Sequence, residues 1–171
     1  YGILSLNDLQ VIIQENSHKM TKLTAVVITK NRKNTTQVVK SLSFADELII
    51  SEVGEITDYS TARNQSLKKA KHEWVLFVDD DETVSPKLAT EIKRAITSTQ
   101  YSGYFIERRA HFLGRERRHG ENGSVKIMRL ARKTAGKCNR PVHEVWYVQG
   151  RVGYLRNPLY HHPHASISSF L

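Results

Sequence analysis

Four acids in a row, Asp79, Asp80, Asp81 and Glu82, close the stretch WVLFVDDDE at residues 74–82. Adjacent carboxylates repel one another unless something positive sits among them, and a divalent cation meets that need with a single ion. An acidic turn running into a helix N-terminus is the other reading, with Asp81 or Glu82 at the positive end of the dipole and Ser85-Pro86 starting the helix. A metal on Asp79 and Asp81 needs further ligands, and the dense cluster that can supply them is HHPH at 161–164, where His161 follows the apolar run Pro158-Leu159-Tyr160. Imidazole with carboxylate suits manganese, and carboxylate with phosphate oxygens suits magnesium. A polar, exposed tail is the plainer account of the histidines.

Two more constellations carry possible chemistry. PVHEVW sets His143 and Glu144 at the mouth of a strand, where a carboxylate can serve as general base, although an exposed Glu at a strand start needs no role. RRAHFLGRERRHG at 108–120 packs five arginines and two histidines around Phe112 and Leu113. Arginine forks match phosphate geometry, so this stretch can grip phosphates, nucleic acid or anionic lipid, or form a solvated basic loop.

The elements that must position these groups read as α/β. The apolar run at 74–78 is a buried strand, covered on both faces because no polar residue alternates in, and its acids fall where α/β folds bind ligands, beyond a strand's carboxyl end. LTAVVITKN at 23–31 is a first strand beside it, NTTQVVKSLSFAD a short helix, and ELIISEV at 47–53 a second strand, so strand–helix–strand implies a parallel unit. STARNQSLKKAKHE at 60–73 is a helix capped by Ser60 or Thr61. SPKLATEIKRAITS is another, with Leu88, Ile92 and Ile96 four apart. From Tyr101 the pattern turns to β: GYFIERRAHF, SVKIMRLARK, HEVWYVQG and VGYLRNPLYHH, with Gln149-Gly150-Arg151 closing a hairpin between the last two. Residues 1–21 stand apart as a leader or cloning-derived segment, with SHKM at 17–20 running into an initiator-like Met20.

A chain of 171 residues suits one domain over 22–171. With 26 Lys and Arg against 17 Asp and Glu, a net charge of +9 and a pI near 9.7, anionic partners are expected. The single cysteine, Cys138, excludes an internal disulfide and any multi-cysteine zinc site. No apolar run approaches a membrane span and no secretory signal is present in the sequence. A soluble or peripheral protein is therefore expected.

In order, TAVVITKNR, FADELII, ARNQSLKKAKHEWVLFVDDDE, GYFIERRAHFLGRERRHG, VKIMRLARK, PVHE and GRVGYLRNPLYHH resemble the family 2 glycosyltransferases of the GT-A fold, and within them the bacterial branch that includes lipopolysaccharide-core β-glycosyltransferases. The resemblance implies a Rossmann-like, nucleotide-sugar-binding sandwich with a mixed, mostly parallel central sheet. The nucleotide half would span about 22–100 and a β-rich acceptor half about 101–171. It implies that Asp79, Asp80 and Asp81 form a DxD motif, the first acid near the nucleotide ribose and the last on a metal bridging the diphosphate. Thr29, Lys30 and Asn31 would line the nucleotide pocket, with Arg63 and Asn64 near base or phosphates. His161 would complete the metal site with Asp79 and Asp81, and Glu144 would be the base, with Glu121 as alternative. The implied cofactors are Mn²⁺ or Mg²⁺ and a nucleotide-sugar donor, a UDP-sugar. The partner would be a saccharide or lipid-linked saccharide acceptor, with the 108–118 loop against an acidic acceptor or the cytoplasmic face of the inner membrane, and no nucleic acid.

Sugar transfer with inversion is a single displacement, in which a carboxylate removes the acceptor proton while the nucleotide diphosphate leaves from the opposite face. The base must be a carboxylate that the metal does not occupy, which separates Glu144 from the aspartates. The chain departs from the family where the second strand usually ends in an Asp-Ser-Gly-Ser type motif followed by a helix and third strand. Here Ser51-Glu52-Val53-Gly54 stands, Glu52 is the substitute acid, and only about a dozen residues lead to Ala62-Arg63-Asn64, so a helix–strand unit is missing. Two rivals follow: a degenerate GT-A-like domain kept for binding, and a basic nucleic-acid module, against which aromatics make up only 8% of residues and no nucleic-acid motif is found.

Overall fold

The computed structural model describes residues 21–54, 58–112, 115–116, 124–139 and 145–162. Expectations that fall elsewhere, on residues 1–20, His143, Glu144 and Glu121, lie outside the described residues.

Strand β1 (Leu23–Thr29) is apolar on both faces, and the sheet is accordingly covered on both. It pairs in parallel with β2 (Glu47–Glu52) on one side and β3 (Trp74–Asp79) on the other. Between β1 and β2 the chain makes a 3-10 turn at Arg32–Thr35 and helix α1 (Thr36–Ser41); between β2 and β3 runs α2 (Tyr59–Lys69). Strand β4 (Glu82–Val84) leads into α3 (Pro86–Ala95), where Ser85 caps and Pro86 occupies the first turn as the sequence indicates. The cap of α2 is two to three residues earlier than expected: Asp58, not Ser60 or Thr61, accepts from Thr61 N at 3.1 Å, while both hydroxyls bond to the Asp58 carboxylate.

The later chain is β: β5 (Gly103–Phe112), β6 (Arg115–Glu116), β7 (Ser124–Arg132), β8 (Gly136–Asn139), β9 (Val145–Val148), β10 (Val152–Tyr154) and β11 (Leu159–His161). The central sheet runs β2-β1-β3-β7-β5-β11-β4, with β10 and β6 also on β5, and β8-β9 form a separate ribbon. It is mixed: the β2-β1-β3 limb is parallel, and β7 enters antiparallel to both β3 and β5. Strand β4 ends the path yet follows β3 across only Asp80 and Asp81, so the sheet curls back on itself. This is the α/β sandwich expected from the sequence, with a β-rich second half.

The hairpin expected at Gln149-Gly150-Arg151 does not form. Strand β9 pairs with β8, whereas β10 lies parallel to β5. Gly150, at φ +93°, instead turns the chain from the ribbon onto the main sheet, and a Cβ there would sit 2.5 Å from Ser102 Oγ.

Alternation along the strands divides the core. Ala25, Val27, Leu76 and Val78 face Val38 of α1 and Leu88 and Ile92 of α3. Val26, Ile28, Val75 and Phe77 face Ala62 and Leu67 of α2 and Cys138 and Trp146 of the ribbon. Burial at about 25 cal/mol per Å² of apolar surface holds β1 and β3 between the two layers, with Thr29 at the carboxyl end of β1 and the acids at that of β3.

Candidate active site at the end of the third strand

The four acids divide into two pairs with opposite surroundings. Asp79, the last residue of β3, has Oδ1 2.7 Å from Arg63 Nη2 and Oδ2 in contact with Arg129 Nη2. Arg63 comes from α2, where its guanidinium also lies 4.9 Å over the Phe77 ring, and Arg129 comes from the centre of β7. Glu82 is fully buried; its Oε2 accepts the Asp79 backbone N–H at 2.9 Å, and its Oε1 is 3.3 Å from Arg129 Nη2 and 3.7 Å from Arg108 Nη1. The positive charge that the acid cluster calls for is therefore supplied, for these two, by arginines. Burial pushes the Asp79 carboxyl up, but Arg129 and Arg63 more than reverse this and hold it well below the usual carboxylate range. For Glu82 burial dominates, Arg129 offsets it in part, and neighbouring Asp79 adds to it, so the carboxyl is pushed up.

Asp80 and Asp81 form the turn between β3 and β4 and face outward. Asp80 Oδ2 lies 2.5 Å from the Thr29 hydroxyl, which in turn accepts the Asn31 backbone N–H at 3.0 Å. Asp81 Oδ2 lies 3.1 Å from His161 Nε2. Sheet pairing delivers that histidine: β11 runs antiparallel to β4 with His161 opposite Glu82, and the His162 backbone N–H donates to the Asp81 carbonyl at 2.7 Å. The neighbouring His162 ring is 2.8 Å from the Thr83 hydroxyl.

A cleft of about 420 Å³ opens over these acids, within the range of small-molecule sites. Thr29, Lys30, Asn34 and Tyr59 line it together with Arg63, Asp79, Asp80, Asp81 and Arg108. Of the expected set, Thr29, Lys30, Arg63 and the three aspartates come together here. Asn34 takes the place expected of Asn31, whose side chain accepts from Lys33 N and starts the 3-10 turn. Asn64 faces away: its amide donates to the Cys138 carbonyl at 2.8 Å and accepts the Cys138 N–H at 2.9 Å, tying α2 to the ribbon. Glu52 is exposed at the end of β2, opposite Thr29 in register. Arg108 joins the acid cluster rather than an outward basic loop. Sequence reasoning passed over Arg129 and the pairing role of Arg63; the signal for Arg129 was a cation flanked by apolar neighbours in KIMRLA.

The expected metal set of Asp79, Asp81 and His161 is partly assembled. Asp81 and His161 touch and keep side-chain exposures of 44% and 18%, whereas both Asp79 oxygens are turned onto guanidinium groups. Among the described residues no three His, Cys, Asp or Glu side chains gather as a metal-binding group. A carboxylate–imidazole pair fits a hard divalent ion whose other positions are filled by water and substrate phosphate.

The sequence model of glycosyl transferase family 2 matches residues 15–162. This chain belongs to that family. Its fold is similar to that of S. aureus TarS 1-349 in complex with UDP-GlcNAc, with a TM-score of 0.59 and 14% identity over 85% of this chain and 59% of that one. The S. aureus TarS 1-349 complex with UDP gives a TM-score of 0.58 at 14% identity, over 82% and 60% of the two chains. The likeness at this identity is one of fold, and the family 2 chain described here spans about 59% of the length of the first of these chains.

Proposed function

We propose that this chain is an inverting glycosyltransferase that moves a sugar from a UDP-sugar to a saccharide or lipid-linked saccharide acceptor of the cell envelope, such as a lipopolysaccharide core. The observation that carries the reading is the Asp81–His161 pair at 3.1 Å on the lip of a cleft whose other walls carry Lys30, Arg63 and Arg108. Family membership supports sugar transfer, and UDP is the nucleotide in the TarS complexes named above.

Lys30, exposed at the end of β1, and Arg108 supply donors for diphosphate oxygens. Thr29 orients Asp80 through their 2.5 Å hydrogen bond, keeping its carboxylate at the cleft wall for ribose hydroxyls. Asp79, neutralised by two arginines, holds the end of β3 rather than a ligand, and the Asp79 N–H to Glu82 bond fixes the turn that presents Asp81. Asp81 and His161 would hold Mn²⁺ or Mg²⁺, which as a Lewis acid supplies charge neutralisation for a departing diphosphate. Glu144 is the proposed base, taking the acceptor hydroxyl proton as the anomeric bond to the diphosphate breaks. Among the described residues no helix is long and apolar enough to cross a membrane, and the reading places the chain peripherally on the cytoplasmic face of the inner membrane.

The test is a nucleotide-sugar panel read by calorimetry with and without Mn²⁺. Asp81→Ala and His161→Ala should each abolish the manganese-dependent part of UDP binding, while Glu144→Gln should spare binding and remove turnover. A manganese-dependent response that survives Asp81→Ala overturns the assignment.

A further inference from the structure

Behind the acid cluster, on the ribbon side of the sheet, lies a second cavity of about 200 Å³. It has room for a group on the scale of one sugar ring. Phe77, Phe105 and Trp146 give it apolar walls, and Arg63, Arg129 and Lys126 give it three cations; none of the described residues lining it is acidic. Asp79 and Glu82 answer the two arginines in direct contacts. Lys126 is exposed, its ammonium lies 5.2 Å from the Tyr154 ring, and it shares the field of Glu107, opposite it across the strand pair, with Arg109, which bonds that carboxylate at 2.8 Å. Tyr154, 62% exposed, stacks on Phe105 at 5.4 Å and 19°, so an aromatic shelf with a cation above it stands at the cavity edge.

Carbon-bound hydrogens of a pyranose pack on aromatic faces, and a cation beside such a face selects a negatively charged substituent. Arg63 lines both this cavity and the cleft over Asp79–Asp81, so one guanidinium separates the two spaces. Val145 and Trp146 line the cavity directly after Glu144 in the chain. We propose that this cavity is an acceptor subsite for a single sugar ring bearing a carboxylate or phosphate, read by Lys126 and the Phe105–Tyr154 shelf. The assignment rests on the glycosyl-transfer reading above and deepens it by giving the acceptor's terminal residue a charge.

The chain has two tryptophans, Trp74 in the core and Trp146 at the cavity, so fluorotryptophan NMR gives one reporter and one internal control. Glucuronate and glucose 6-phosphate are titrated against methyl glucoside, and UDP with Mn²⁺ is titrated separately on the same wild-type protein. The expected result is a shift of the Trp146 signal by one or both charged sugars, with the more effective one identifying the substituent, and little movement of Trp74. Lys126→Glu, at an exposed position, should weaken the effective sugar about tenfold or more. Equal response to the neutral sugar, no response to any of the three, or an affinity unchanged in Lys126→Glu overturns the subsite. Failure of UDP to bind wild type while the charged sugar still shifts Trp146 overturns the donor reading and leaves the anionic-sugar site standing.

Discussion

Replacing Arg129 by Met keeps most of the side-chain volume and removes one charge from beneath the acid cluster. Asp79 then retains only Arg63 of its two guanidinium partners, and Glu82, fully buried, retains Arg108 at 3.7 Å and the Asp79 N–H. Breaking a buried ion pair by removing one partner costs about 3–5 kcal/mol. Glu82 is already pushed up by burial and can take a proton, which favours the lower end, about 3 kcal/mol. For a domain of this size about 2–4 °C of Tm accompanies each kcal/mol, so a loss of about 6–12 °C is expected near neutral pH. The sign with pH follows from both carboxylates. In wild type, Asp79 has a depressed folded pKa, so its stabilisation is present above its ordinary value of 3.8 and is lost as pH falls through the folded value. In Arg129→Met the lost cation moves both carboxyls up from their wild-type values; for Glu82, already raised by burial, the penalty is full above its folded value and fades as pH falls toward 4.5 and below. Circular-dichroism melts of both proteins across that range should therefore converge in acid, and adding Glu82→Gln should recover part of the loss. A neutral-pH difference under about 1 kcal/mol, as for an exposed pair, or one that does not change with pH, refutes the reasoning.

Asn64→Ala removes both bonds to the Cys138 backbone and should destabilise by about 1–3 kcal/mol in urea titration, with faster hydrogen exchange at the Cys138 amide. Asp58→Ala should lower the melting temperature at neutral pH; since hydrogen bonds from Thr61 and Ser60 pull the Asp58 carboxyl down to about 2, the difference should be constant above 3.8 and shrink as pH falls toward 2. Gly136→Ala would put a Cβ 1.7 Å from the Tyr147 carbonyl oxygen, and should separate β8 from β9 and change the fluorescence of Trp146.

What could be read from the chain alone follows physical range. The β1 and β3 strands were plain because an unbroken apolar run needs cover on both sides, and the Ser85-Pro86 start of α3 because capping is local. Gly150 misled because a positive-φ glycine signals a turn without saying which strands it joins, and β10 found β5 rather than β9. The acid cluster was recognised, but repulsion among four carboxylates does not say which cation relieves it. Arg63 and Arg129 sit 16 and 50 residues from Asp79, and such pairs leave no periodic trace. His161 stood out in the HHPH cluster as a candidate ligand; its contact with Asp81 follows from the β4–β11 pairing, which no local pattern encodes.

That pairing also sets a timetable for synthesis. Asp81 leaves the ribosome 80 residues ahead of His161, a gap of roughly 4–16 s at about 5–20 residues per second. Over that interval β4 has no β11 beside it, and the nascent chain carries its aspartate without the imidazole. On the proposed reading, an ion held by the two together could be captured only once β11 has been made.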